Sequence, residues 1–492
     1  MSTSDLPASG IRLEIHGREP ETEIMVLDST FRPLERQMNH VVLKLPPGLY
    51  KIQFRTGGFL QEIHQALEPG STEVRVEAPW LLFDSPVPLA NTRLAQAEHL
   101  AAAETTSQDG QVHVQLGSGS QLFVFTRDAE VVGLDHPATG LTLHDIEGQL
   151  LVHLRREGVG GAAGRKAWAA CHISLAPGAY RLRVDAGLEG VFEQIVVTCA
   201  GWQTQVFLLR TRFGVRDTTP VRPDLSNASI LLERQGRGFQ ARDPEVRLTE
   251  LTRLALSVRQ PYLSHIIDLN HHLLKKTSDH PMLGLLIAHS WLLNHASEHT
   301  WIGAHRRRLL ALALYLQRLI PNHPDVDALR LELGLEPPET FTGRYTSPPM
   351  LRGSWSLIVE RTKTHPALIP AQSLSSRIAR DLWGNSPWLI WQHAADVASR
   401  TSPRSVPFAL SMLGPASMRS SESPERDEVE ELLTELLKRA GIPPSPQTLL
   451  EHLDALSIPQ LVSRLGLPAS TVATALSELR AKLQRTASRR PT

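Results

Sequence analysis

Cysteine is nearly absent from this chain of 492 residues. Cys171 and Cys199 are the only two, too few to staple a secreted scaffold of this size. Net charge is absent as well, because 51 Lys and Arg offset 51 Asp and Glu. A globally basic nucleic-acid binder or membrane-surface protein would be biased positive, so any such role must be local. Long apolar runs are also missing. The most apolar helix-like run, Met282 to Leu293, is broken by His289 and falls short of the roughly 20 residues a bilayer span needs. The opening residues, MSTSDLPASGIRLEIHG, carry no basic n-region and no apolar h-region, so no signal peptide is read. A cytoplasmic protein without membrane contact is expected.

What is present is enough apolar residue, 41%, for packed cores well above a disordered composition. The length predicts roughly three or four domains. Two stretches in the first half match each other. LKLPPGLYKIQF, Leu43 to Phe54, parallels ISLAPGAYRLRV, Ile173 to Val184. In both, a Pro-Gly pair precedes a tyrosine by one residue: Pro47-Gly48-x-Tyr50 and Pro177-Gly178-x-Tyr180. Pro presets φ and Gly accepts positive φ, which predicts a turn. Tyr50, Ile52 and Phe54 then alternate with Lys51 and Gln53, and Tyr180, Leu182 and Val184 with Arg181 and Arg183. Period-two alternation predicts strands with one face in a core and one in water. Further strand-like runs follow in each repeat, which suggests a sandwich.

The apolar residue, Pro-Gly turn and Tyr-led strand resemble carboxypeptidase-regulatory-like, prealbumin-like β-sandwich modules, over about the last half of each repeat. The resemblance implies modules that bind or space other domains. The chain as a whole resembles a bacterial multidomain protein. The first sandwich is placed at 8–90 and the second at 112–212. Residues 91–111, with their Ala-rich first part, read as a linker holding one helix.

From Asp243-Pro244 the period becomes helical, with Asp as N-cap and Pro in the first turn. Helices are predicted near His265 to Lys275, Pro281 to Asn294, Ala304 to Ile320 and Pro324 to Leu333, giving a helical domain over 228–340. Residues 341–419 read as a mixed, mainly helical extension. Within it Trp355 to Glu360 fits a strand or a short helix, and Ser373 to Leu382 fits a helix. Trp383 to Trp391 reads as a turn with core-anchoring tryptophans.

Candidate chemistry is sparse. His295, Glu298 and His299 fit H-x-x-E-H and so resemble the inverted zincins, which implies two histidines on zinc and Glu298 as general base. The third ligand of that family, a Glu roughly seventy residues on, is missing from Pro370 to Arg377. Cys171 and His172 are adjacent, but neighbours on a strand point to opposite faces, so both cysteines read as small core residues. The glycine-rich Gly158 to Lys166 does not meet P-loop spacing and reads as a hairpin loop. Arg306 to Arg308 reads as a solvated helical face.

The last segment, 424–487, reads as a small four-helix domain. Asp427 and Glu430 fit a capping box. Ser457 to Arg485, SIPQLVSRLGLPASTVATALSELRAKLQR, resembles a helix-turn-helix. The resemblance implies a recognition helix offering Ser470, Thr471 and Thr474, with Arg480, Lys482 and Arg485 for phosphates. Nine acidic and nine basic residues cancel over 425–492, so no net field steers it to DNA.

The fold expected is therefore two antiparallel β-sandwich domains, an all-α region and a small C-terminal helix-turn-helix-like domain. The function expected is that of a non-enzymatic interaction or adaptor protein that binds other proteins and needs no cofactor. The alternative is a DNA-binding transcriptional regulator acting through its tail; a third reading is a zinc-dependent hydrolase using His295, Glu298 and His299.

Overall fold

The computed structural model describes residues 10–57, 59–129, 136–163, 166–186, 190–212, 221–259, 280–295, 304–378, 381–384 and 386–393. The chain divides into two compact units, Met1–Ala409 and Leu410–Thr492, and the described residues all lie in the first. The expected helix at 265–275 and the helix-turn-helix with Ser470, Thr471, Thr474, Arg480, Lys482 and Arg485 lie outside them.

The first repeat has seven strands: β1 Ile11–His16, β2 Glu23–Leu27, β3 Pro33–Met38, β4 His40–Leu45, β5 Gly48–Thr56, β6 Phe59–Leu67 and β7 Glu73–Glu77. They form two sheets, ordered β4-β1-β7 and β3-β2-β5-β6. Leu13, Ile15 and Val41 of one sheet join Ile24, Ile52 and Phe54 of the other in one buried cluster. The predicted alternation holds on β5, where Tyr50, Ile52 and Phe54 are buried and the residues between them are half-exposed.

A helix follows, α1 Ala97–Thr106, and then the second repeat. Its strands are β8 Val114–Gln115, β9 Ser120–Asp128, β10 Leu141–His144 and β11 Leu150–His153. After the single-turn α2, Leu154–Glu157, come β12 Val159–Ala163, β13 Lys166–Leu175, β14 Gly178–Asp185, β15 Val191–Thr198 and β16 Trp202–Arg212. Two short strands, β17 Val221–Pro223 and β18 Ser229–Arg234, extend it.

The two repeats share one pairing plan. β1 pairs antiparallel with β4 and parallel with β7; β9 pairs antiparallel with β13 and parallel with β16. β2 and β6 flank β5, just as β10 and β15 flank β14. The tyrosines also match: Tyr50 Oη donates to Pro46 O at 2.9 Å and Tyr180 Oη to Ala176 O at 2.8 Å. This tie back across the turn works like the tyrosine corner of other β proteins. Two expectations are corrected. One sheet of each repeat is mixed rather than antiparallel, because β1 lies parallel beside β7 and β9 parallel beside β16. Neither Gly48 nor Gly178 takes positive φ; each begins a strand, and the tyrosine hydroxyl holds the turn.

Among the described residues six more helices continue the chain: α3 Pro244–Ser257, α4 Pro281–His295, α5 Ala304–Leu319, α6 Pro324–Leu333, α7 Arg352–Thr362 and α8 Leu374–Ile378. The Asp243 side chain caps α3, accepting from Glu245 N at 2.9 Å, with Pro244 behind it. Trp355 to Glu360 thus lies inside a helix, while the predicted helix at 373–382 shrinks to α8. The last described strand, β19 Ile390–His393, pairs with β15 some two hundred residues earlier.

Helices and second repeat bury one continuous cluster, in which Val206 and Ile195 join Leu286, Leu312, Leu329 and Trp388. The outer face of the seven-stranded sheet is covered too. Phe123, Phe125 and Phe207 there meet Val87, Ala103 and Phe239. Every residue of β9 and β15 is consequently buried. Among the described residues, no helix is long and apolar enough to cross a membrane.

Candidate functional site

An apolar cavity of about 330 Å³ lies where α3, α4 and α7 meet. Leu256 comes from α3, Leu292 and Leu293 from α4, and Leu351 and Leu357 from the α7 segment, with Ser386 and Pro387 completing the wall. Three polar groups converge on it: His289, Arg259 and Arg352.

Each arrives for a local reason. α3 stops at Ser257, and Arg259 takes a left-handed φ of 51°, its N–H donating to Leu256 O at 3.0 Å. Arg352 opens α7, its N–H donating to Pro387 O at 2.9 Å and its Nη2 to Trp383 O at 3.2 Å. Among the described residues its buried Nε has no hydrogen-bond partner. Burial, and then the neighbouring Arg259 charge, lower the Arg352 pKa. Among the described residues neither guanidinium has an ion-pair partner. A half-buried Arg352 and an exposed Arg259 beside an apolar wall together attract an anion.

His289 forms the back wall. A Cβ at Gly353 would stand 2.5 Å from its Nδ1, so only glycine there lets α7 approach the ring. Its Nε2 lies 2.8 Å from Ser354 Oγ. Complete burial pushes the imidazole down to about 4, so it is neutral at pH 7. Behind Ser354, the buried Asp325 accepts from Met350 N and Leu351 N, both at 2.9 Å. Burial raises the pKa of this carboxyl. Serine, histidine and aspartate are thus close, but not in the order of a hydrolytic triad. Ser354 is fully buried, and among the described residues no carboxylate is hydrogen-bonded to His289. The network fixes the start of α7. What the cavity itself offers is recognition of an apolar group carrying an anionic head.

A second cavity, about 360 Å³, lies between the β14–β15 ends and the start of α6. Its arginine, Arg344, is already paired with Asp327 at 3.0 Å.

The structure places the residues expected from the sequence as follows. His295 is the last residue of α4, and Glu298 and His299 lie outside the described residues. Cys171 and Cys199 are free, buried thiols in the shared core, pushed up to about 12 by burial. His172 faces the other way, its Nε2 3.0 Å from Gln203 Nε2. The glycine-rich run is largely a strand, not a loop: β12 pairs with β13 from Val159↔Ala170 to Ala163↔Lys166. Its glycines admit the Trp168 ring, which a Cβ at Gly161 would meet at 2.8 Å. Trp388 and Trp391 are fully buried core anchors. Arg306 ties α5 to the end of α6 through Leu333 O at 2.9 Å.

Arg259, His289 and Arg352 were not singled out as a site by sequence. The signal available was His289, the one titratable residue between Met282 and Leu293, the most apolar helical run. The arginines come from helix ends that no periodicity brings together. The whole-chain comparisons add no relative: no protein-family model matches, and no curated protein matches significantly.

Proposed function

We propose that this protein is a non-enzymatic interaction protein of the cytoplasm that binds other proteins. Its architecture on this reading is a pair of prealbumin-like β-sandwich modules, a helical region and a four-helix, helix-turn-helix-like tail over 424–487. The shared strand plan and the matched tyrosine ties support the paired modules.

One observation carries the functional reading: the apolar cavity with two arginines that have no acidic partner among the described residues. A peptide segment with bulky apolar side chains and a carboxylate, either a free C-terminus or an acidic side chain, satisfies both features. Burying the apolar part supplies affinity, and the guanidiniums select the anion.

Titration of labelled apolar peptides by fluorescence polarisation tests it. A peptide with a free C-terminal carboxylate should bind at least about tenfold tighter than its amide, a difference of roughly 1.4 kcal/mol. Ser356→Trp, which fills the cavity, and Arg259→Glu should abolish that preference. Equal binding of acid and amide, or binding unaffected by Ser356→Trp, would reject the cavity as the docking site. Salt-dependent binding of duplex DNA, lost on truncation at residue 423, would instead favour the regulator reading.

A further inference from the structure

The β4-β1-β7 sheet turns one face away from its core, and Glu14, His16 and His40 lie on that face. His16 and His40 are directly opposed across the β1–β4 pair, and Glu14 shares their face two residues before His16. The imidazoles are stacked, with centroids 4.6 Å apart. Both point their Nε2 at the same carboxylate oxygen: Glu14 Oε1 is 3.0 Å from His16 Nε2 and 3.3 Å from His40 Nε2. All three potential ligand atoms lie within 4.8 Å of one another.

We propose that Glu14, His16 and His40 form a binding site for a first-row divalent transition cation, Zn²⁺ being the best fit. Zinc bonds of about 2.0–2.2 Å in tetrahedral geometry set ligand atoms roughly 3.3 Å apart. The distances to Oε1, 3.0 and 3.3 Å, are already near that value. Imidazole nitrogens with one carboxylate suit zinc and its neighbours, whereas calcium and magnesium need oxygen ligands. The histidine side chains are 47% and 48% exposed, so the fourth position stays open to water.

The surroundings hold the ligands ready. Glu14 Oε2 is taken by Arg12 Nη2 at 3.1 Å and faces Arg75 Nε at 3.7 Å. The carboxylate is thereby oriented with Oε1 towards the rings, which is how outer-shell partners tune a metal ligand. Glu73 Oε1 lies 3.5 Å from Arg12 Nε and 3.3 Å from Arg75 Nε. Two carboxylates thus offset two guanidiniums around the ion. The strand ends are clamped beside the histidines: Gly17 N–H donates to Asn39 O at 2.5 Å, and Asn39 N–H to Thr22 O at 2.7 Å.

The second repeat supplies the contrast. By strand register, Glu14, His16 and His40 correspond to Phe123, Phe125 and Ala170, which are buried under the segment carrying Val87 and Ala103. The face that is apolar and covered there is open here and carries ligands. Another cluster, Glu233, Asp243 and His280, is already committed. Asp243 caps α3 through one oxygen, while His280 at 3.2 Å and Arg237 at 3.6 Å share the other.

The test is titration of the full chain with Co²⁺ and Zn²⁺, because tetrahedral Co²⁺ has strong visible bands. With 21 histidines in the chain, the difference between wild type and variants decides the matter. Wild type should bind one equivalent more than His16→Ala/His40→Ala, and that equivalent should give the tetrahedral spectrum. Each single alanine should weaken the site at least about tenfold, and Glu14→Gln by about tenfold. Zinc should raise the unfolding temperature of wild type but not of the double variant, whose metal-free unfolding should be unchanged because both side chains are half-exposed. His295→Ala/His299→Ala should leave the equivalent in place. The proposal is overturned if the double variant keeps the tetrahedral signal, if the signal is lost with His295 and His299 instead, or if wild type binds no such equivalent.

Discussion

The two repeats follow one strand plan and bury it differently. In the first, the apolar core lies between its own two sheets, with Gly57 and Phe59 at one end meeting α3 and the shared core. In the second, α1 with its flanking segment covers one outer side, and β19 with α8 lies at the other. An ion pair occupies the same register position in both. Lys51 meets Glu62 at 2.7 Å with side chains 18% and 36% exposed. Arg181 bonds Glu193 with side chains 10% and 1% exposed. The second pair also gathers Trp391 Nε1 and His393 Nε2, each 3.0 Å from Glu193 Oε2. Burial alone would raise the Glu193 pKa, but the bonds from His393 and Arg181 hold it down at about 2. A contact that is partly exposed in one repeat is an internal strut in the other, where further chain segments cover it.

Removing the acid in each repeat sharpens this comparison most. Glu193→Ala leaves a buried arginine unpaired, and we expect a loss of about 3–5 kcal/mol in denaturant unfolding. Glu62→Ala removes the exposed counterpart and should cost at most about 1 kcal/mol. Equal losses would break the claim that burial separates the two.

Acid should act on the same side of the comparison. His99 and His172 at the second repeat, and His289 and His323 among the helices, are each pushed down to about 4, chiefly by burial. Unfolded, they titrate near an ordinary value of about 6.5. The unfolded state therefore binds more protons between these values. The stability these groups contribute is full above about pH 6.5 and is lost as pH falls towards 4, at up to about 1.4 kcal/mol per group and pH decade. Unfolding midpoints measured from pH 7 to 4 should fall steeply, with near-ultraviolet signals of the second repeat lost first. A flat profile would contradict neutral, buried imidazoles.

A smaller effect tests the shared element. Tyr50→Phe and Tyr180→Phe each delete one hydroxyl-to-carbonyl bond and should cost about 1 kcal/mol. Similar values would support one device used twice, and a null effect in either repeat would separate them.

Much of this plan was legible because it is local. The Pro-Gly-x-Tyr pairs, the alternation on β5, and the Asp243-Pro244 start all operate within a few residues. What was not legible is pairing at a distance. Arg181 reads as a water-facing residue, since nothing near it announces that residues 390–393 will add a strand beside β15. The Gly158 to Lys166 run reads as a loop because the Trp168 ring it accommodates acts across strands. Glu14 and His16 were not singled out by sequence, and His40 joins them only through the β1–β4 register. The cavity arginines are likewise assembled from helix ends almost a hundred residues apart.

Native-state hydrogen exchange on the described strands tests the central claim most directly, that the first repeat stands on its own core while the second is built into the helices. We expect amides of β1, β2, β4 and β5 to exchange through a separate opening of lower free energy, and amides of β9, β13, β15 and α4 to exchange together with the largest. A single common opening for both repeats, or stronger protection in the first, would contradict it.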